Sequence, residues 1–224
     1  DITGANQIGG IIPDEPLFAD HHVHFCGMPI ALVLAETDEA ARHAVHKIKV
    51  EIEPLPVITD PRLAAAQNEL IIPPRTFKIG DSASAFAKCE YVFEGKCDNN
   101  GQEHLYIETQ GAYAVPQENG VIRVYSSTQG PTAVQRAVSK VTGLPMHNIE
   151  IDVTRLGGGF GGKEDQANTW AALCALATHV TKRPVKYSLH RMEDMRMTGK
   201  RHPYSSDFKI GLNKDLKIIA FETT

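Results

Sequence analysis

A single glycine-rich loop, RLGGGFGGKED at residues 155–165, constrains this 224-residue chain most. Five glycines stand in six positions, from Gly157 to Gly162, with Phe160 as the exception. The alternating segment IEIDVTR before the loop predicts a strand, and the largely apolar DQANTWAALCALATHVT after it predicts a buried helix. Glycines permit positive φ, and the start of a helix offers unpaired N–H groups. The chain therefore contains a strand–loop–helix unit suited to a ligand with many hydrogen-bond acceptors.

Two nucleotide-binding patterns overlap this loop. Residues 157–163 fit the G-x-x-x-x-G-K half of a triphosphate loop, and three of the glycines fit G-x-G-x-x-G. Glu164 stands where the triphosphate pattern needs a Ser or Thr for Mg²⁺, and its charge would repel a phosphate. The dinucleotide pattern needs an acid at the end of the next strand, and Glu193 comes two residues late. A purely structural turn and an acceptor-rich ligand beside a carboxylate both stay open.

The rest of the chain predicts two α/β units of different size. Residues 29–36 and 48–55 predict strands on either side of a helix that Thr37 caps. Segments rich in Pro, Ala and polar residues follow, and we place the domains at 1–75 and 89–224, with a linker at 76–88.

The second unit is predicted in more detail. AYAVP and VIRVYSS flank QENG as a hairpin, and a helix runs from Pro131 to a cap at Gly143. PVKYSLH predicts another strand, and SDFKIGL with LKIIAFETT predicts a closing hairpin. These elements predict an α+β protein. The start at Asp1 and the end at Thr224, within a strand pattern, predict that the sequence is a fragment.

Composition restricts the partners. The net charge of -4 and the pI of about 6.2 give no electrostatic footprint for nucleic acid. The basic stretch at 182–202 predicts a solvated face or subunit contact, with a phosphate-binding patch as the alternative. No apolar run reaches the ~18 residues of a membrane span. Four cysteines without a C-x-x-C pair predict reduced thiols in a cytoplasmic protein, and the lack of a long apolar run predicts no membrane attachment.

Four blocks together resemble the molybdenum-binding subunit of the xanthine dehydrogenase/aldehyde oxidase family of molybdenum hydroxylases. They are GQEHLYIET, SSTQGP, RLGGGFGGKED and RMEDMRMTGKRHP, in the family's order and spacing. The N-terminal third, with PIALVLAETDEAARHAVHKIKVEIEPLPVITDP, resembles the family's α/β hammerhead domain. The implied fold is a small α/β hammerhead domain followed by the first part of a molybdenum-cofactor-binding domain, with a mixed sheet and helices.

The resemblance implies roles for five residues. Gln129 matches the glutamine whose amide hydrogen-bonds an oxo ligand of molybdenum. Gly159, Phe160 and Gly161 match the cofactor loop, where a backbone N–H near Phe160 meets the molybdenum centre. Glu164 matches the carboxylate that binds the ring of purine substrates, and aldehyde-oxidising relatives usually carry an apolar residue there. A structural network is the preferred interpretation of His104 and Glu108.

The implied activity is oxidation of hypoxanthine and xanthine to urate, by water-derived hydroxylation and hydride transfer to a molybdenum centre. The implied cofactor is molybdenum-molybdopterin, as such or in the cytosine dinucleotide form. The catalytic base is expected downstream, iron–sulfur clusters and FAD on other domains or subunits, and the assembly is expected to be dimeric. The chain alone should therefore be inactive. An aldehyde or N-heterocycle hydroxylase, a nucleotide-binding module and a non-catalytic assembly domain stay open as alternatives.

Overall fold

The computed structural model describes residues 2–224, which form two compact units. The first unit contains residues 2–49 and 103–201, and the second contains residues 50–102 and 202–224. Each unit therefore includes separate parts of the sequence. The predicted domain boundaries at residues 75 and 89 stay predictions, because contact-based units need not coincide with sequence domains.

The described residues contain helices and strands in irregular alternation. The helices are α1 (Asp38–Val45), α2 (Pro61–Ala66), α3 (Ser82–Phe86), α4 (Pro131–Thr142), α5 (Ala167–Thr181) and α6 (Arg191–Met197). The strands are β1 (Tyr91–Asn99), β2 (Gly111–Pro116), β3 (Ile122–Ser126), β4 (Ile149–Asp152), β5 (Val185–Ser188), β6 (Tyr204–Leu212) and β7 (Ile218–Thr223). The predicted α+β class is confirmed.

A four-stranded mixed sheet organises the first unit, in the order β4-β3-β2-β5. β2 pairs antiparallel with β3 and with β5, whereas β3 and β4 are parallel. The antiparallel pair β2–β3 is the predicted hairpin around QENG, and α4 connects the parallel strands β3 and β4 as a crossover helix.

This topology brings four connecting segments to one edge of the sheet. The carboxyl ends of β3, β4 and β5 lie there, together with the start of β2, since Gly111 is opposite Ser188 and Ala112 is opposite Ser126. The glycine loop follows β4, and the segment with Gln129 follows β3. Residues far apart in the sequence are thus placed side by side.

Helices α4 and α5 bury the core against the sheet. Pro131 occupies the first turn of α4, and Gly143 ends it in the left-handed conformation, at φ 74°, as the sequence predicts. Trp170 of α5 stacks on Tyr187 of β5 with ring centroids 5.5 Å apart. The main core cluster includes Val124, Val134, Val138, Ile149, Ala171 and Cys174.

The second unit contains the three-stranded antiparallel sheet β1-β6-β7. The closing hairpin predicted from SDFKIGL and LKIIAFETT is confirmed as β6 and β7. The side chain of Arg62 forms ion pairs with Asp98 of β1 and Asp207 of β6. These pairs are largely exposed, so they contribute little free energy of folding.

Two predicted strands are wrong. Residues 29–36 and 48–55 form no strand, although Thr37 caps α1 between them by accepting a hydrogen bond from the Ala40 N–H at 3.1 Å. A strand requires a neighbour for its backbone ladder. Within residues 2–224, the segment 29–36 makes one backbone hydrogen bond to another segment, from the Ala19 N–H to the Pro29 carbonyl at 2.7 Å. The predicted linker at 76–88 also contains the short helix α3.

Burial of α5 predicts unequal reactivity of the cysteines. Burial raises the pKa of the Cys174 thiol to about 12, whereas Cys26 and Cys97 are exposed. Because the thiolate is the nucleophile, iodoacetamide at pH 8 should modify Cys174 about a thousandfold more slowly than Cys26 and Cys97. Peptide mass spectrometry of the native protein measures these rates. Equal labelling of all three cysteines would contradict the buried position of α5.

Candidate functional site

Gln129 and the glycine loop are joined directly. The Gln129 N–H donates to the Lys163 carbonyl at 2.8 Å, and the Gln129 Oε1 accepts from the N–H groups of Gly161, at 3.0 Å, and Lys163, at 3.3 Å. Two backbone donors require the amide oxygen at this position, so the orientation of the amide is fixed. The Gln129 Nε2 has no partner within residues 2–224 and remains available as a neutral donor.

The glycine loop presents free backbone N–H groups. Gly158, Phe160 and Gly161 have φ of 95°, 53° and 85°, and no group within residues 2–224 accepts from the N–H of Gly158, Gly159 or Phe160. The Gly161 N–H is already used by Gln129. A Cβ at Gly159 would lie 2.4 Å from the Gln129 Oε1, so a side chain there would displace the amide. The loop conformation thus provides donors for an acceptor-rich ligand.

Two side chains of the loop face solvent. Phe160 is 72% exposed. Glu164 is exposed, lies three residues before the start of α5, and forms no ion pair or side-chain hydrogen bond within residues 2–224. Its carboxylate is therefore free to accept hydrogen bonds from a ligand.

Lys163, in contrast to Phe160 and Glu164, is fully buried, with 0% exposure. Its Nζ donates to the Glu108 carbonyl at 2.7 Å, to the Glu108 Oε2 at 3.2 Å and to the Ser127 Oγ at 2.6 Å. An ammonium has three donors, and these three acceptors use all of them. Burial lowers the pKa of Lys163, and the charge of Glu108 partly offsets this effect. Lys163 is thus unsuited to binding a phosphate.

Glu108 connects the lysine to the start of the loop. Its Oε2 also accepts from the Ser127 Oγ at 2.7 Å and from the Gly157 N–H at 2.8 Å. Burial raises the pKa of Glu108, but the bonds from Ser127 and Gly157 and the Lys163 charge together lower it below the ordinary value. Glu108 therefore belongs to a satisfied polar network, in agreement with the structural interpretation.

A buried carboxylate, Asp194 of α6, anchors the other side of this network. It accepts from the Tyr106 hydroxyl at 2.7 Å and from the Gln110 N–H at 2.6 Å, and it is 0% exposed. The Gln110 Nε2 donates to the Gly162 carbonyl at 2.8 Å, which extends the network to the glycine loop. Burial and the contact with Asp194 raise the pKa of Tyr106, so the phenol remains a donor. Buried polar side chains of Tyr106, Gln110 and Asp194 thus support the protein-facing side of the glycine loop.

Sequence reasoning did not identify this supporting network. Asp194 and Arg191 lie in a stretch predicted to be a solvated face or subunit contact. Yet Asp194 is buried, and Arg191 is partly buried and donates to the Ile107 carbonyl at 2.7 Å. The available signal was Asp194 in RMEDMRMTGKRHP, but only the topology shows that its carboxylate contacts Tyr106, 88 residues away in the sequence.

Two family models match the chain and define the class of protein to which it belongs. The family model described as molybdopterin cofactor-binding domain matches residues 64–224. The model described as aldehyde oxidase and xanthine dehydrogenase, a/b hammerhead domain, matches residues 1–56. The chain belongs to the aldehyde oxidase and xanthine dehydrogenase family. Both domain types are confirmed, the one implied by the four sequence blocks and the one implied by the N-terminal third.

Individual relatives agree with this assignment. The chain is 41% identical to the xanthine dehydrogenase of Emericella nidulans over 97% of its length, and 38% identical to the xanthine dehydrogenase/oxidase of Mus musculus over 99%. It spans only 16% and 17% of these relatives.

Solved structures show the same fold. The aldehyde oxidoreductase of Desulfovibrio gigas matches 99% of this chain with a TM-score of 0.88 and 29% identity, over 26% of its own chain. The CO dehydrogenase of Oligotropha carboxidovorans matches 93% of this chain with a TM-score of 0.81 and 27% identity, over 29% of its own chain. The fold therefore occurs in proteins whose names indicate different substrates.

The geometry of Lys163 predicts that the loop binds neither ATP nor NAD. Its ammonium is fully engaged inside the protein, and Glu164 replaces the hydroxyl that a triphosphate loop requires. Isothermal titration with ATP–Mg²⁺ and with NAD should show no binding at micromolar concentrations. Micromolar binding that Lys163→Ala abolishes would contradict this interpretation.

Proposed function

We propose that this chain supplies part of the active site of a molybdenum hydroxylase that oxidises purines. The observation that carries the proposal is the Gln129 amide, whose oxygen is held by the loop while its nitrogen remains free. A free neutral donor beside unpaired backbone N–H groups fits a cofactor with many acceptor oxygens. Family membership supports the same cofactor.

The residues present fit molybdopterin with its metal. When bound, this cofactor supplies the redox centre that accepts two electrons from the substrate. Gln129 would donate from Nε2 to an acceptor of the cofactor, and the Phe160 N–H would offer a second donor. Gly159 and Gly161 allow the backbone to approach closely, because neither carries a side chain. The Gly161 N–H acts indirectly, since it holds the Gln129 oxygen.

Glu164 is proposed to bind the substrate. An exposed carboxylate without a partner can accept hydrogen bonds from the ring N–H groups of a purine, which an aldehyde lacks. The chain is 41% and 38% identical to two xanthine dehydrogenases but 29% identical to the aldehyde oxidoreductase. The higher identities favour a purine over an aldehyde as the substrate. An aldehyde or N-heterocycle hydroxylase is the alternative within the family.

Other parts of the reaction are proposed to lie outside this chain. They include the catalytic base, the remaining molybdenum domain, and the iron–sulfur and FAD carriers, in a dimeric cytoplasmic assembly. Within residues 2–224, no helix is long and apolar enough to cross a membrane. The nucleotide-binding alternative is disfavoured by the buried, fully engaged ammonium of Lys163.

Removing the Gln129 amide should slow turnover. In the assembled enzyme, Gln129→Ala should lower kcat by the equivalent of roughly 1 to 3 kcal/mol, because an acceptor of the bound cofactor would be left without its donor. Gln117→Ala, which alters an exposed glutamine of the β2–β3 hairpin, is the matched control. Steady-state kinetics at equal molybdenum content provide the measurement. An unchanged kcat in Gln129→Ala would refute the assignment.

Replacing Glu164 should change substrate preference. A charge-assisted hydrogen bond contributes about 1.5 to 3 kcal/mol, so Glu164→Val should lower kcat/KM for xanthine roughly ten- to a hundredfold. Aromatic aldehydes, which have no ring N–H, should be oxidised as well as before or better. Glu164→Gln retains a neutral acceptor, so its kcat/KM for xanthine should lie between those of the wild type and Glu164→Val.

The measured quantity is the ratio of purine to aldehyde kcat/KM, variant against wild type, at equal molybdenum content. Glu118→Val, at an exposed glutamate of the hairpin, should leave this ratio unchanged. If Glu164→Val lowers both activities together, Glu164 supports the loop and does not select the substrate.

A further inference from the structure

Lys163 contacts one short segment, residues 127–129, through both its main chain and its side chain. Its carbonyl accepts from the Gln129 N–H at 2.8 Å and from the Thr128 Oγ1 at 3.1 Å, and its N–H donates to the Gln129 Oε1 at 3.3 Å. Its Nζ donates to the Ser127 Oγ at 2.6 Å. One residue of the glycine loop therefore holds three consecutive residues of the segment after β3.

The lysine is itself held firmly. The Nζ also bonds the Glu108 carbonyl and carboxylate, and it lies 4.5 Å from the centre of the Tyr106 ring. Tyr106 is in turn fixed by the buried carboxylate of Asp194. Charge-assisted hydrogen bonds in a buried site are strong and resist rearrangement. The peptide unit at Lys163 thus has little freedom to move.

We infer that Lys163 is a positioning residue whose buried ammonium fixes the Gln129 amide in the orientation that the reaction requires. The inference rests on the proposed function, in which the Gln129 Nε2 contacts the cofactor. Lys163 itself touches neither cofactor nor substrate, because its side chain points into the Glu108–Ser127 network. Its effect on turnover should therefore pass through Gln129.

Coupling between the two residues distinguishes positioning from general support. In the assembled enzyme, Lys163→Met keeps much of the side-chain length but removes the three donors. It should lower kcat by no more than Gln129→Ala does, which is at most roughly a hundredfold, and leave KM within about twofold. If Lys163 acts through Gln129, the double variant with Gln129→Ala should be no slower than the slower single variant.

A second measurement does not depend on activity. The electron paramagnetic resonance signal of the Mo(V) state should shift in Lys163→Met in the same direction as in Gln129→Ala, at equal molybdenum content. Lys140→Met, at an exposed lysine of α4, is the matched control and should leave both kcat and the signal unchanged. If Lys163→Met does not accumulate as folded protein, Ser127→Ala takes its place in the double-variant cycle with Gln129→Ala. Ser127→Ala removes one acceptor of the Lys163 ammonium.

The outcomes separate the inference from the proposed function. If Gln129→Ala lowers kcat but the losses in the double variant multiply, or the Lys163→Met signal is that of wild type, the positioning role is overturned. If Gln129→Ala itself leaves kcat and the signal unchanged at full molybdenum content, the proposed function fails at Gln129. A non-additive cycle with a shared shift of the signal supports both.

Discussion

The buried ammonium of Lys163 is the interaction on which the rest of the site depends. It joins the glycine loop to Glu108 before β2 and to Ser127 after β3, so three segments are held at one point. A buried charge is tolerated only when it is paired and fully hydrogen-bonded, and this one is. Without it, the Glu108 carbonyl and carboxylate would lose their charged donor. The exposed face of the loop can carry free donors because its inner face is satisfied in this way.

The sheet topology makes this arrangement possible. The parallel pair β3–β4 directs two connecting segments to the same edge, and the antiparallel strands β2 and β5 bring Tyr106, Gln110 and Asp194 there as well. Helices α4 and α5 cover the sheet and bury its core, so the edge is the place where loops meet. A rigid scaffold therefore presents the Gln129 amide, the free N–H groups and the Glu164 carboxylate together.

Local patterns predicted much of this fold. Pro131 and Gly143 mark the ends of α4, the apolar run predicts α5, and QENG marks the β2–β3 hairpin, because each signal acts within a few residues. Residues 29–36 and 48–55 were predicted as strands from their apolar pattern, and this was wrong since strand formation depends on a partner that the pattern does not show.

The site was predictable only in part. The four sequence blocks identified the family, and the comparisons confirm it, whereas the roles of Gln129, Phe160 and Glu164 stay predictions. The contacts of Lys163 with Glu108, and of Asp194 with Tyr106, join residues 55 and 88 positions apart. No local period encodes such pairs, and the G-K motif pointed to a phosphate role that the burial of Lys163 disfavours.

The orientation of the Gln129 amide is the central claim, and a crystal structure of the assembled enzyme with anomalous data at the molybdenum edge tests it most directly. We expect an acceptor atom of the cofactor within about 3.2 Å of the Gln129 Nε2, with the Oε1 still accepting from Gly161. A molybdenum site away from Gln129, or an amide whose oxygen faces the cofactor, would contradict it.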